Sequence, residues 1–437
     1  MVGLARSGVA AGRLLAARGE TVRGVDSGFP AAAEGLRQAG VEVHLDTDGV
    51  AQLEGTRTVV KSPGVPREAP VIAAALERGV EVVGELELAW RLLPNRFVAV
   101  TGTNGKTTTV ELLGHLYREA GEPTALAGNV GAPLAGLVGE VDPDATVLCE
   151  CSSFQLEDTS AFAPECAVFL NLAPDHLDRH HDLEAYLAAK LRIFANQGND
   201  DVAVYNADDP FAAGTDLGGC ARRVAFCRGA APDCELAAAE GAIFYDGEPL
   251  IGVEELGLFG EHNVANAMAA AAAALSMGLD REAVRQGLRS FAGVPHRLEP
   301  VAEIDGVRFV NDSKATNVAS ASVGIRAFEG GVRAILGGSE KEEPFAPLLE
   351  PIGERCTACY LIGATAERMA RELAPAREEG VELHRCADLE QAVARAAAAA
   401  QPGEVVLLSP ACASFDAFES FEQRGERFRQ IVGGLER

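Results

Sequence analysis

The sequence predicts an α/β protein divided into three domains. Three observations predict it. At 437 residues the chain exceeds what one hydrophobic core organises. Short β-branched runs alternate with Ala-, Leu- and Arg-rich helical stretches throughout, the pattern of mainly parallel sheets covered by helices. Pro94-Asn95 and the stretch near Val294 break that alternation into blocks. The expected domains are residues 1–88, 89–293 and 294–437.

In the first block, VRGVD from Val22, then Val41 to Leu45, Thr58 to Lys61 and Val80 to Val83 read as strands, and ELELAWRLL as the closing helix. The second opens on the apolar strand FVAV at Phe97. Strands follow at Thr146 to Glu150, Ala167 to Asn171 and Val202 to Tyr205, with a buried Ala-rich helix from Asn263 to Met277 and another from Arg281 to Ser290. The third has strands at Arg308 to Val310, Ala334 to Leu336, Tyr360 to Ile362 and Val405 to Leu408, and a last helix from about Ser414.

Composition excludes several classes. Against 38 Lys and Arg stand 64 Asp and Glu, a formal net charge of −26. So acidic a surface argues against broad affinity for nucleic acid, while leaving room for a small anion in a local basic pocket. No apolar run approaches the roughly 20 residues a membrane span needs. Arginines interrupt the apolar stretches of the opening MVGLARSGVAAGRLLAARGE, so it reads as a Gly-rich turn and helix and not as a leader. The ten cysteines are scattered. Cys356 and Cys359 form one C-x-x-C without a second pair, and Cys220, Cys227 and Cys234 lack neighbouring histidines, so reduced, mostly buried thiols are expected rather than zinc.

The chemistry centres on TGTNGKTT, residues 101–108. A buried strand, a Gly-containing turn and a helix starting near Lys106 present backbone N–H groups to an anion. Lys106 adds charge and Thr107 a hydroxyl for Mg²⁺. The strict P-loop glycine is replaced by Val100, leaving the shorter G-x-x-G-K-T. Glu150, at the end of a later strand in LCECSSFQLE, is a hard-oxygen donor suited to the same ion.

TGTNGKTT resembles the ATP loop of the Mur ligases and of the related folylpolyglutamate and cyanophycin synthetases. Further motifs follow in family order across nearly the whole chain. The resemblance implies a Rossmann-like N-terminal domain, a central P-loop ATPase domain and a Rossmann-like, mobile C-terminal domain, with a hinge near Ala292 to Val294. It implies ATP contacts from Gly102, Thr103, Asn104, Gly105, Lys106, Thr107 and Thr108. Asn263 and Asn266 of GEHNVANA, Arg297 of VPHRLE and Asp312 of FVNDSKATN are implied to join them.

By the same resemblance, Thr107 and Glu150 hold one Mg²⁺, while His176 of NLAPDHLDRHHD and a carbamylated Lys190 hold a second; His180 and His181 are expected to be solvated. By itself Lys190 reads as a solvent-facing helix lysine, and Asn129 of GNVG as a turn residue; the resemblance places Asn129 on the substrate. Lys314, Thr316, Lys341, Ser414, Phe415 and Phe421 are implied around the incoming amino acid, although an aromatic such as Phe421 ordinarily belongs to a core.

Gly3-Leu4-Ala5-Arg6-Ser7-Gly8, with Asp26 and Ser27, resembles the uridine-nucleotide site of the glutamate-adding branch. Family members carry a strand before that Gly loop, so the true start is expected upstream, and without it the middle of the first sheet would be empty. Gly28 stands where the family often has arginine.

The implied activity is ATP-dependent addition of D-glutamate to UDP-N-acetylmuramoyl-L-alanine through an acyl phosphate, in peptidoglycan precursor synthesis, by a cytoplasmic monomer. Competing readings are a relative using L-glutamate or another amino acid, a folate or cyanophycin ligase, and a nucleotide-binding module without catalysis. Turnover of ATP that depends on an added amino acid separates the last from the rest.

Overall fold

Runs of branched and aromatic residues form the buried strands, and Gly, Pro and Asp end them. The computed structural model describes residues 1–129, 131–229, 234–258, 260–340 and 343–435, apart from the side chains of 177 and 178. Contacts divide the chain into two units, residues 1–256 with 262–291, and residues 257–261 with 292–437.

Unit one begins with β1 (Arg23–Val25) parallel to β2 (Glu42–His44), and β3 (Thr58–Lys61) parallel to β4 (Glu81–Gly84). The expected empty slot between β1 and β3 is occupied at one end. Val2 bridges both Val25 and Lys61, Val2 N donates to Val60 O at 2.9 Å, and Val25 N to Met1 O at 2.9 Å. Beside Met1 a cavity of about 650 Å³ is lined by Val22, Val59, Val83 and Leu88 among others. The helix Glu85–Leu92 follows β4, and Glu87 accepts backbone N–H groups from Ser160, Ala161 and Phe162.

The central sheet has nine strands: β5 (Phe97–Thr101), β6 (Thr124–Gly128), β7 (Thr146–Glu150), β8 (Cys166–Phe169), β9 (Val202–Asn206), β10 (Arg222–Arg228), β11 (Leu236–Ala239), β12 (Ala242–Tyr245) and β13 (Glu248–Gly252). Their order is β13-β12-β11-β10-β9-β8-β5-β7-β6, parallel except for the last two hairpin strands. Reading the sequence missed β6 and β10 to β13. The hairpins carried a signal: Glu240-Gly241 and Asp246-Gly247 both take left-handed φ values (50° and 78° in each pair), as two-residue turns between antiparallel strands require. Behind the sheet, Ala267 to Ala274 of the helix Glu261–Ser276 have no exposed surface, so the Ala-rich stretch is buried on every side, as expected.

Unit two holds a six-stranded sheet: β14 (Glu299–Ile304), β15 (Val307–Asn311), β16 (Val332–Gly337), β17 (Cys356–Ile362), β18 (Glu382–Arg385) and β19 (Val405–Leu408), in the order β14-β15-β19-β16-β17-β18. All pairs are parallel except β14 with β15, which turn at Asp305-Gly306.

Three expectations are corrected. The last helix spans Phe421–Gly433 and does not start near Ser414, because the Ser414 carbonyl is taken by the N–H groups of Ala417 and Phe418 in a turn, and Ser420 caps the helix by accepting from Gln423 N. Cys227 and Cys234 form a disulfide joining the β10 end to the β11 approach, so these two thiols are not free. His180 is buried, as described below. Among the described residues no helix is long and apolar enough to cross a membrane.

Candidate active site

Strand β5 is buried along its whole length and delivers the Gly-rich turn to the sheet's carboxyl edge. Gly105 begins the helix Lys106–Glu119 at φ 88°, and a Cβ there would stand 2.2 Å from Asn266 Oδ1, so only glycine allows that asparagine to press on the loop. Asn266 Nδ2 donates to Asn263 Oδ1 at 3.1 Å, which puts both predicted asparagines together on one helix face. Both lie inside the helix, so neither is its N-cap. Lys106 Nζ donates to the carbonyls of Gly102 (3.0 Å) and Thr103 (2.9 Å), over the turn. Asn171, at the end of the strand expected from Ala167, latches the loop. Its Oδ1 accepts from Asn104 N at 2.8 Å and its Nδ2 donates to Asn104 O. Thr103 Oγ1 reaches Ala173 O and Tyr186 Oη, and Thr108 is buried in the helix's first turn.

Neighbouring β7 places Glu150 opposite Val100. The glutamate is buried, with Oε2 accepting from Thr107 Oγ1 at 2.8 Å and Oε1 from Asn129 Nδ2 at 2.9 Å. Thr107, Glu150 and Asn129 therefore converge. A hydroxyl and a carboxylate beside a Gly-rich turn at a helix N-terminus are donors of the kind Mg²⁺ takes alongside phosphate oxygens, so this set fits the ion. Among the described residues no three His, Cys, Asp or Glu side chains form a ready-made cage.

Lys190 overturns its reading as a solvent-facing lysine. It is 1% exposed, its Nζ donates to Gly102 O at 2.7 Å, and it lies over the Tyr186 ring. Burial, reinforced by the charge of Lys106, holds its ammonium well below the usual lysine range. His176 is exposed in a left-handed conformation, with Nε2 3.5 Å from Asp175 Oδ2 and its ring against Phe154. His180 stacks on the same phenylalanine and meets Ser153 Oγ at 2.9 Å; that packing buries it against expectation, while His181 is exposed.

A cavity of about 720 Å³ reaches this region at Asn129. Arg6, Ser7, Asp26, Ser27, the 62–66 loop and Asn129 are among its lining residues. Asn129 thus connects the cavity to Glu150. Both Asp26 oxygens accept backbone N–H groups, from Leu4 at 2.7 Å and Gly28 at 2.9 Å, so this carboxylate shapes the Gly loop. Arg6 spans to Gly131 O at 2.7 Å.

In unit two, β15 delivers Asp312, which is buried and accepts from Ser409 Oγ (2.7 Å) and Leu298 N (3.2 Å). Desolvation raises its carboxyl to about 7, against those hydrogen bonds and the charge of Arg297. Lys314 Nζ lies 6.0 Å from the Phe421 ring centre, and Thr316 N bonds to Lys314 O. Phe421 is half-buried at a helix start rather than in the core, and Phe415 is 75% exposed. Ser414 Oγ is buried without a hydrogen-bond partner among the described residues. Lys341 lies outside the described residues.

Family models match residues 1–84 as a Mur ligase MurD-like N-terminal domain, 100–274 as a Mur ligase middle domain and 296–412 as a Mur ligase glutamate ligase domain. A UDP-N-acetylmuramoylalanine–D-glutamate ligase of Pelotomaculum thermopropionicum is 42% identical, over 100% of this chain and 97% of the relative. The chain belongs to the Mur ligase family. An Anaeromyxobacter dehalogenans relative of the same name is 46% identical over 99% of this chain and 96% of its own length. Among solved Mur ligases, the Thermotoga maritima UDP-N-acetylmuramate-alanine ligase shares the fold, with a TM-score of 0.57 at 20% identity over 99% of this chain and 98% of that one. Mur ligases are ATP-dependent ligases, and this chain is one.

The sequence reading missed Asn171 and a buried cation, Arg424. That guanidinium has 1% exposure and donates to Ser313 Oγ, Ser313 O, Cys412 O and Ala413 O, tying the loops after β15 and β19. Burial lowers it to about 10. Arginine at the start of a polar helix looks solvated in sequence, so no local signal marked it.

Proposed function

We propose that this Mur ligase adds D-glutamate to UDP-N-acetylmuramoyl-L-alanine at the expense of ATP, a step of peptidoglycan precursor synthesis, working as a cytoplasmic monomer of three domains (1–88, 89–293 and 294–437). The observation that carries the chemistry is the convergence of Thr107, Glu150 and Asn129, with Lys106 over the adjoining Gly-rich turn and Asn129 lining the 720 Å³ cavity. The acceptor and amino acid come from the names of relatives alike over the whole chain.

A carboxylate has no good leaving group at neutral pH. Its oxygen attacks the γ-phosphorus of ATP, ADP departs, and an acyl phosphate results. The amine of glutamate then attacks the acyl carbon, inorganic phosphate leaves with the C–O bonding pair, and the nitrogen loses a proton. Such transfer depends on positioning and charge neutralisation. The N–H groups of residues 102–108 cradle phosphate oxygens, Lys106 neutralises them, and Asn263 and Asn266 brace the turn. Asn129 orients the acceptor carboxylate. Thr107 and Glu150 would hold one Mg²⁺, and His176 with a carbamylated Lys190 a second; the ions would supply charge neutralisation at the phosphates. Burial supports the carbamate reading, since it favours the neutral amine that reacts with CO₂.

Arg6, Ser7, Asp26 and Ser27 form the uridine-nucleotide wall. Arg297 and Asp312 serve ATP, and Lys314, Thr316, Lys341, Ser414, Phe415 and Phe421 hold glutamate. The orphaned Ser414 hydroxyl supports this, being a buried donor that a carboxylate would satisfy.

Phosphate release with ATP, Mg²⁺ and UDP-N-acetylmuramoyl-L-alanine tests the reading, with D-glutamate, L-glutamate, alanine or diaminopimelate added separately. Release that depends on D-glutamate is expected. Release with L-glutamate alone overturns the stereochemistry, and none with any amino acid overturns the ligase reading for these substrates.

A further inference from the structure

A buried polar knot lies between the 720 Å³ cavity and the segment that carries His176. Lys61 has no exposed surface; its Nζ donates to Val65 O at 2.7 Å and pairs with Asp158 at 2.7 Å and Glu157 at 3.5 Å. Arg179 reaches two of the same acceptors, with Nη2 3.0 Å from Val65 O and 2.5 Å from Glu157 Oε1. Two cations thus converge on one backbone carbonyl, and one carboxylate holds them there. Val65 belongs to the loop Ser62-Pro63-Gly64-Val65 that walls the cavity.

The other end of the knot touches His176. Arg179 N donates to His176 O at 3.0 Å, so the two share one turn of chain. The guanidinium lies over the Phe154 ring, 5.3 Å from its centre, and the same ring meets the His176 imidazole at 4.9 Å and stacks on His180 at 5.4 Å. One side chain therefore contacts the cavity wall and braces the ring that bears on the imidazole.

We propose that Arg179 is a positioning residue that fixes the spacing between the substrate wall at Val65 and His176, so that a carboxylate anchored at the nucleotide end arrives in register with the phosphoryl-transfer groups. This rests on the ligase reading above. The physical demand is geometric: a long substrate held at one end reacts at the other only if the two sites keep a set distance, and a misplacement of about 1 Å costs about a hundredfold in rate. Arginine suits the task because its Nη2 holds the carbonyl and the carboxylate while the same planar group lies over the Phe154 ring, whereas a lysine is a single flexible point.

The test uses the full chain carrying Arg179→Gln, beside Arg179→Lys. Calorimetry with UDP-N-acetylmuramoyl-L-alanine, without ATP and with magnesium chelated, should show Kd raised about fivefold for Arg179→Gln as the wall loosens. In phosphate release, kcat should fall about thirtyfold while the KM for ATP stays within about twofold, and Arg179→Lys should recover part of both losses. Glu157→Gln, which keeps an acceptor but removes the charge, should show the same split at smaller size if Arg179→Gln fails to fold. Unchanged Kd and kcat overturn the proposal, as does a loss of ATP affinity in parallel with the melting temperature. The calorimetric arm needs no turnover, so it judges Arg179 even if the wild type releases no phosphate, an outcome that would sink the ligase reading instead.

Discussion

Lys190 and Gly105 show how a residue's role depends on what faces it. Lys190 lies on a short helix whose sequence, LEAYLAAKL, gives no reason to bury an ammonium. It is buried because β5 and the Gly-rich turn pass close enough for Gly102 O to take its proton donor. Gly105 was marked by its motif, yet the reason it must be glycine is the Asn266 side chain, which comes from a helix about 160 residues later. Gly105→Ala should therefore lower ATP turnover by at least about tenfold, through a left-handed backbone and a clash together. Gly121→Ala is the control, since its φ of 73° carries the same backbone cost with nothing near its Cβ. Equal turnover in both variants would show that Asn266 does not press on the loop. The missed Asn171 belongs to the same lesson: its two bonds to Asn104 are formed by a strand neighbour, and one sequence shows no neighbours across a sheet.

At the scale of elements, the helix Glu85–Leu92 is pinned by its two glutamates. Glu85 Oε1 accepts from Ala135 N at 2.6 Å, while Oε2 is buried without a partner among the described residues. Burial raises this carboxyl from 4.5 to about 7. Its folded value lies above the unfolded one, so the folded state binds the proton more tightly, and stability falls as pH rises from about 4.5 through about 7, then levels. Glu85→Gln keeps the acceptor and removes the ionisation. Between pH 4 and pH 8 its stability relative to the wild type should rise by about 3 kcal/mol, read from urea unfolding at each pH. A difference that does not change with pH would contradict the assignment. Hairpins were the elements most readable in retrospect: Asp246-Gly247 and Asp305-Gly306 both turn antiparallel pairs, and an x-Gly turn between short apolar runs was present in the sequence each time. Strands β11 and β14 escaped notice because Ala237 and Ala238, or Glu299 and Pro300, are poor strand formers that pair only because a neighbouring strand offers an edge.

For the whole molecule, the net charge of −26 is the feature with a direct consequence. Like charges on a folded surface repel, and salt screens them, shortening the Debye length from about 30 Å at 0.01 M to about 8 Å at 0.15 M. The melting temperature should rise by a few degrees over that range at pH 8. A fall would mean that the attractive pairs, such as Arg333 with Glu404 at 2.7 Å, outweigh the net repulsion.

The sequence by itself determined the α/β class, most parallel strands, the buried Ala-rich helix, the Gly-rich turn between strand and helix, and the family. These are written in local patterns, since apolar runs, glycine spacing and a lysine after G-x-x-G are properties of neighbours along the chain. Only the tertiary structure decided that Lys61, Lys190 and Arg424 are buried cations, that Asp26 serves its own loop, that His180 packs on Phe154, and that Cys227 joins Cys234. The physical reason is that burying a charge requires carbonyls and carboxylates from distant segments to converge on it, and that convergence exists only once the sheets have brought those segments together.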